Sequence, residues 1–141
     1  MTPPTRMIVN FLNQKIPAYL DCCLNLVDVR DVAEGHILAA QRGRSGERYL
    51  LGHENMKLSQ LLCMLEDITG LAMPKNKVPY WLALMVGVRL AGRGNCFNSD
   101  KAVHELGFRQ SSIRQALVDE IVWLAETRQI NLPVSLIRKT F

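Results

Sequence analysis

Apolar residues recur along this chain both in short strand-like runs and in longer helical stripes. Leu24 to Val29 is a run rich in Leu and Val, the composition of a strand. Asp28 stands where a helix N-cap belongs, and Asp31 sits at the positive end of the helix dipole. Val29, Val32, Ala33, His36, Ile37 and Ala40 then recur at i, i+3, i+4, i+7, i+8 and i+11, which predicts a helix with that face toward a core. Arg42-Gly43, a basic residue and then glycine, ends it. Glu47 to Gly52 predicts a second strand. Strand, amphipathic helix and strand so close together predict a βαβ unit with parallel strands and a right-handed crossover.

Other helices flank this unit. Arg6 to Gln14 reads as a short helix between Pro3-Pro4 and Ile16-Pro17. Leu58, Leu61, Leu62 and Leu65 stripe another, closed by Gly70; Lys57 is a poor start for it, and Asn55 is the alternative. Tyr80 to Leu90 is apolar nearly all round, which predicts a buried or interfacial helix broken by Gly92-Arg93-Gly94-Asn95. In FNSDKAVHELGF, Asn98 or Ser99 caps a short helix, and Gly107 takes the left-handed position after it. Phe108 is then placed to pack on Val103. Ser111 or Ser112 caps a last long helix with Ile113, Leu117, Ile121 and Leu124 inward, and residues 129–141 read mostly as loop.

Composition narrows the class. A chain of 141 residues, 48% hydrophobic and 6% aromatic, fits one α/β or helical domain with one core. The net charge of +4 comes from scattered basic residues, which gives no nucleic-acid surface. No apolar run is long enough to span a bilayer, and MTPPTRMIVNFL lacks the form of a signal peptide, so a cytoplasmic protein is expected. Cys22, Cys23, Cys63 and Cys96 form no C-x-x-C pair and are expected as reduced thiols.

Candidate chemistry is sparse. A dinucleotide site needs a glycine-rich first strand-to-helix turn, and neither Gly92-Arg93-Gly94, with Phe97 three residues on, nor Gly43 and Gly46, followed by Tyr49, supplies one. No serine-hydrolase elbow and no clustered zinc ligands occur. His36 falls on the core-facing stripe and reads as an interior histidine. His53 with Glu54, past the second strand, is the best-placed polar pair for a pocket, the other reading being plain loop residues. His104 lies on a short surface helix without an assigned role.

NLVDVRDVAEGHILAA (Asn25 to Ala40) and FNSDKAVHELGF (Phe97 to Phe108), in that order, resemble the C-terminal half of an extended short-chain dehydrogenase/reductase of the NAD-dependent epimerase/dehydratase family. The wording is most similar to the hopanoid-associated sugar epimerase and dihydroflavonol-reductase-like branch, and the resemblance runs from about Thr2 to Glu126. It implies an α/β chain that is the C-terminal part of a Rossmann-type domain, a βαβ unit, plus a mainly helical substrate-binding lobe. The implied division of a single domain is a substrate-loop helix and lead-in over 1–23, the terminal βαβ of the parallel sheet over 24–56, the helical lobe over 57–128 and a tail over 129–141.

The family's Tyr-x-x-x-Lys catalytic pair is absent, since Tyr19, Tyr49 and Tyr80 are followed at that spacing by Cys23, His53 and Leu84. No catalytic or cofactor-binding residue is therefore expected, and no metal; NAD(P) is implied only through the family. Substrate-pocket positions carried over by the resemblance are Pro4, Leu24, Asn25, Leu26 and Cys96 in the turn before Phe97, with His53 added from its place after the strand. Leu24 stands where nucleotide-sugar epimerases carry an arginine for the diphosphate, which speaks against a UDP-sugar. The stretch between Leu90 and Phe97 is shorter than in the family. The implied partners are a separate N-terminal nucleotide-binding half or a second copy, and a small-molecule substrate. Two parallel strands cannot cover both of their own faces, so an oligomer or a marginally stable monomer is expected, with exposed sheet edge and apolar surface.

Overall fold

Prolines are tolerated in the first turn of a helix, where the amide they lack has no partner in any case. The computed structural model, which describes residues 2–79, 81, 96–130 and 137, uses Pro3-Pro4 in that way. Helix α1 spans Pro3–Leu12, earlier than the sequence pattern places it. Then follow β1 (Ala18–Tyr19), β2 (Cys23–Leu26), α2 (Val29–Arg42), β3 (Glu54–Lys57), α3 (Leu58–Thr69), β4 (Asn76–Lys77), α4 (Asp100–Leu106) and α5 (Ile113–Glu126). The expected Tyr80 to Leu90 helix and its break lie outside the described residues, as does most of the 129–141 tail.

The α/β class holds, but the strand pairing differs from the expected βαβ unit. β2 pairs antiparallel with β3, in the register Cys23↔Lys57, Leu24↔Met56, Asn25↔Asn55 and Leu26↔Glu54. Among the described residues, Glu47 to Gly52 forms no regular element and joins no sheet. It runs over the inner side of α2, with Tyr49 and Leu51 against Phe108 and Leu50 54% exposed. Only after it does the chain turn back along β2, where the His53 amide donates to the Leu26 carbonyl at 3.2 Å. The parallel pair occurs elsewhere, as two residues of β1 beside two of β4.

Helix ends follow local chemistry. The Asp28 carboxylate accepts from the Arg30 amide at 2.8 Å and caps α2. The same carboxylate binds the Arg30 guanidinium at 2.6 Å, and this partner, against the opposing effect of burial, holds the Asp28 pKa below its ordinary value. At α3 the Lys57 amide donates to the Gln60 side chain at 2.7 Å, while Asp21, from far back in the chain, accepts from the Ser59 amide at 3.1 Å. Gly70 and Gly107 end α3 and α4 at φ of 72° and 74°, the left-handed region that glycine enters without penalty.

Two apolar clusters result. The larger one packs α1, α3 and α5 around Phe11, Leu61, Leu65, Ile121 and Leu124, with the expected inner face of α5 buried throughout. The smaller one holds Ala102, Leu106 and Phe108 of the α4 region against Leu38, Ala39 and Leu51.

α2 meets that second cluster with a different face from the expected one, and of the expected stripe only Val32 is half-buried. Asp31 and Gly35 are buried, whereas Val29 is 77% and Ile37 58% exposed, and Ala33, His36 and Ala40 are exposed with them. His36 is thus a surface histidine, its Nδ1 2.7 Å from the Val32 carbonyl oxygen of its own helix. Space decides the orientation. A Cβ on Gly35 would stand 2.9 Å from both Leu51 methyls and 3.0 Å from the Phe108 ring. A larger side chain has no room there, so Gly35→Leu should destabilise by about 1–3 kcal/mol despite the better helix propensity of leucine. Urea unfolding reads this directly, and an unchanged midpoint would contradict the packing described.

Candidate functional site

The antiparallel β2–β3 pair and the segment entering α4 build one polar cluster. Asn25 of β2 and Asn55 of β3 face each other, and the Asn25 Nδ2 donates to the Asn55 Oδ1 at 2.9 Å. Asn55 also clamps the backbone of Phe97 from both sides: its Nδ2 donates to the Phe97 carbonyl at 2.8 Å and its Oδ1 accepts from the Phe97 amide at 3.0 Å. The Gln110 amide donates to the Gly52 carbonyl and to the Ser99 hydroxyl oxygen, both at 3.1 Å. Gly52 is the one residue that fits beside Asn25, because a Cβ there would collide with the Asn25 amide.

A covalent bond closes the cluster. Cys23 and Cys96 form a disulfide across 73 residues of sequence, with Cα atoms 6.0 Å apart. This corrects the expectation of four reduced thiols: β2 and the α4 lead-in come together in space although nothing in the cysteine spacing pairs them. Cys22 is half-buried and Cys63 exposed, both free. Burial, and then the charge of Asp21, raises the Cys22 pKa, which keeps that thiol protonated and a poor nucleophile at neutral pH.

Beside the β2–β3 pair lies an open cleft of about 520 Å³ lined by Leu20, Asp21, Cys22, Cys23, Lys57, Lys77, Val78 and Pro79. Its size suits a small organic molecule. Lys77 donates to Asp21 at 2.9 Å. Burial alone would raise Asp21, but the hydrogen bonds from Lys77 and Ser59 outweigh it and hold the carboxyl below its ordinary value. The cleft therefore presents one neutralised ion pair and the Lys57 cation, next to apolar walls.

Of the pocket residues expected from sequence, Leu24, Asn25 and Leu26 lie together on β2, His53 stands just before β3 and bonds to Leu26, and Cys96 is bonded to the first residue of β2. Pro4 sits exposed at the start of α1, and no described contact brings it to the others. Asn55, Gly52, Ser99 and Gln110 were not anticipated. The Asn25–Asn55 pair follows once β3 is placed at 54–57, a strand whose single buried residue, Met56, gives little pattern to read. Among the described residues, no group of three or more His, Cys, Asp or Glu could hold a metal ion. None of the described helices is long and apolar enough to cross a membrane.

No family model matches the chain. It is 44% identical, over 86% of its length, to a dihydroflavonol 4-reductase-like protein of Synechocystis, of which it covers 43%. It is 28% identical to sterol demethylase protein B of Methylococcus capsulatus, covering 45% of that protein. The chain thus spans less than half the length of these curated relatives. Among solved structures, a nucleoside-diphosphate-sugar epimerase from Pseudomonas aeruginosa superposes with a TM-score of 0.80 at 28% identity, over 89% of this chain and 43% of that one. More distant structures that share the fold were solved with NAD, NADH or NADPH bound. In sequence and fold the chain is thus similar to dihydroflavonol-reductase-like and NAD-dependent sugar-epimerase/dehydratase-like proteins over less than half of their length, which is consistent with a C-terminal half.

Proposed function

We propose that this chain is the substrate-binding half of an NAD(P)-dependent oxidoreductase or epimerase of the dihydroflavonol-reductase-like kind. It is not catalytic alone and becomes active when a nucleotide-binding half joins it. The observation that carries this reading is the 44% identity to a protein more than twice as long, in a chain that has neither a glycine-rich nucleotide turn nor a Tyr-x-x-x-Lys pair. In the complete enzyme the other half supplies the nicotinamide and the acid/base pair. This half supplies the wall of the substrate cavity, for which the polar cluster on the β2–β3 pair and the adjoining cleft are the candidates. A two-part assembly fits that role.

The chain alone should not respond to the cofactor. Amide proton–nitrogen NMR spectra recorded with and without NADPH should superimpose. Mixing with the N-terminal half of the Synechocystis relative should then restore NADPH oxidation in the presence of a dihydroflavonol, with hydride passing to the carbonyl carbon and a proton to its oxygen. Shifts caused by NADPH on the isolated chain would reveal a nucleotide site of its own and sink this reading. So would a mixture of two folded halves that turns over no carbonyl substrate.

A further inference from the structure

A surface helix needs one apolar sector, and α2 has two. Placed on a helical wheel, Asp31, Val32, Gly35, Leu38 and Ala39 form the sector that meets the chain's own core. Val29, Ala33, His36, Ile37 and Ala40 form another, about 100° wide and about 16 Å long at the pitch of an α-helix. A polar strip of Arg30, Glu34 and Gln41 separates the two on one side. The second sector is bare: Val29 is 77% and Ile37 58% exposed, and nothing in the described chain lies over it. A helix that is apolar on two sides belongs in the middle of a layered structure, with packed surface on both.

The occupant follows from length and from the neighbouring backbone. Relatives that align over most of this chain contain more than as much chain again. Beside α2, Glu47 to Gly52 carries its apolar Leu50 outward and pairs with no strand among the described residues, so its backbone groups are open to a partner. A partner with an apolar layer and a free strand edge would satisfy both features at once. Small residues at Ala33 and Ala40 leave the α2 sector flat enough for such a layer to approach closely.

We infer that the Val29–Ala33–His36–Ile37–Ala40 face of α2 is the docking surface for the nucleotide-binding half. The inference rests on the reading of the chain as a partial enzyme and adds where the two parts join. Because these side chains are exposed, changing them leaves the chain's own core intact. Ile37→Glu and Val29→Glu should melt like the parent chain, yet each should weaken association at least tenfold. The probe is the N-terminal half of the Synechocystis relative, made separately and shown to be folded by its binding of NADPH. Trp123→Glu, at an exposed position on α5, should leave association unchanged.

Association that is unaffected by Ile37→Glu and Val29→Glu would overturn the docking surface and leave the functional reading standing. Failure of the folded half to associate at all would overturn both. A dimer of this chain that Ile37→Glu dissociates, with no binding of the half, would show that a second copy is the occupant, which also overturns the inference.

Discussion

Reduction of the Cys23–Cys96 bond is expected to lower the unfolding midpoint by roughly 15 °C. The bond links residues 73 apart in sequence, and on the chain-entropy account a loop of that size removes about 4 kcal/mol of freedom from the unfolded ensemble. For a chain of this length each kcal/mol corresponds to about 4 °C. The folded state changes little on reduction, because Asn55 still holds both backbone groups of Phe97. Thermal unfolding with and without a dithiol reductant measures the effect, and Cys96→Ser should melt where the reduced parent chain does, whatever the redox conditions. Alkylation before reduction should label only Cys22 and Cys63. A Cys96→Ser chain as stable as the oxidised parent would mean that the bond contributes nothing.

Asp31→Ala should cost roughly 3 kcal/mol, since two hydrogen bonds to a carboxylate are lost at about 1.5 kcal/mol each. The buried Asp31 carboxylate accepts from the Ser111 amide at 2.7 Å and from the Ser111 hydroxyl at 2.8 Å. It thereby ties the first turn of α2 to the entrance of α5. Removing it leaves a backbone donor without its partner in a half-buried place, which is why the loss exceeds that of an ordinary surface bond. Ser111→Ala gives up only the hydroxyl and should lose about half as much. Urea unfolding of the two variants separates these amounts. Equal losses would mean that the amide finds water or another acceptor and that the tie is weaker than its geometry implies.

The sequence read most clearly where one residue type had a single use. Ser112 caps α5, Gly107 turns the chain out of α4, and Ile113, Leu117, Ile121 and Leu124 all point into one core, because each of these signals is local. α2 shows the limit of periodicity. Its larger side chains, Val29 and Ile37, dominate the apolar pattern, but its own core is crowded by Phe108 and Leu51 and accepts the sector that carries Gly35 and Ala39. Smallness, not hydrophobicity, decided which side turned inward. The second strand was misplaced for a related reason: ERYLLG has the stronger composition, whereas ENMK has the partner.

The candidate site was legible in part. Leu24, Asn25, Leu26, His53 and Cys96 lie on or beside the β2–β3 pair, because β2 carries three of them, the His53 amide bonds to Leu26 and Cys96 is bonded to Cys23. Asn55 and Gln110 were hidden because their work is long-range: each joins segments separated by a loop or a helix, and neither leaves a periodic trace. The same holds for Asp31, which reads from sequence as a dipole-favouring residue and serves in the structure as an anchor 80 positions from its partner.

The larger apolar cluster also sets the order in which the chain can mature during synthesis. Leu61, Leu65 and Ile68 of α3 share one cluster with α1 and with α5, whose last inward residue is Leu124. A nascent chain that has emerged only through α4 carries α3 with its leucine stripe still wet, and the anchor at Ser111 is not yet available to Asp31. Closure of such distant contacts is slow compared with helix formation. The core is therefore completed only after α5 has emerged, and until then the growing polypeptide depends on whatever shields its α3 stripe from its neighbours.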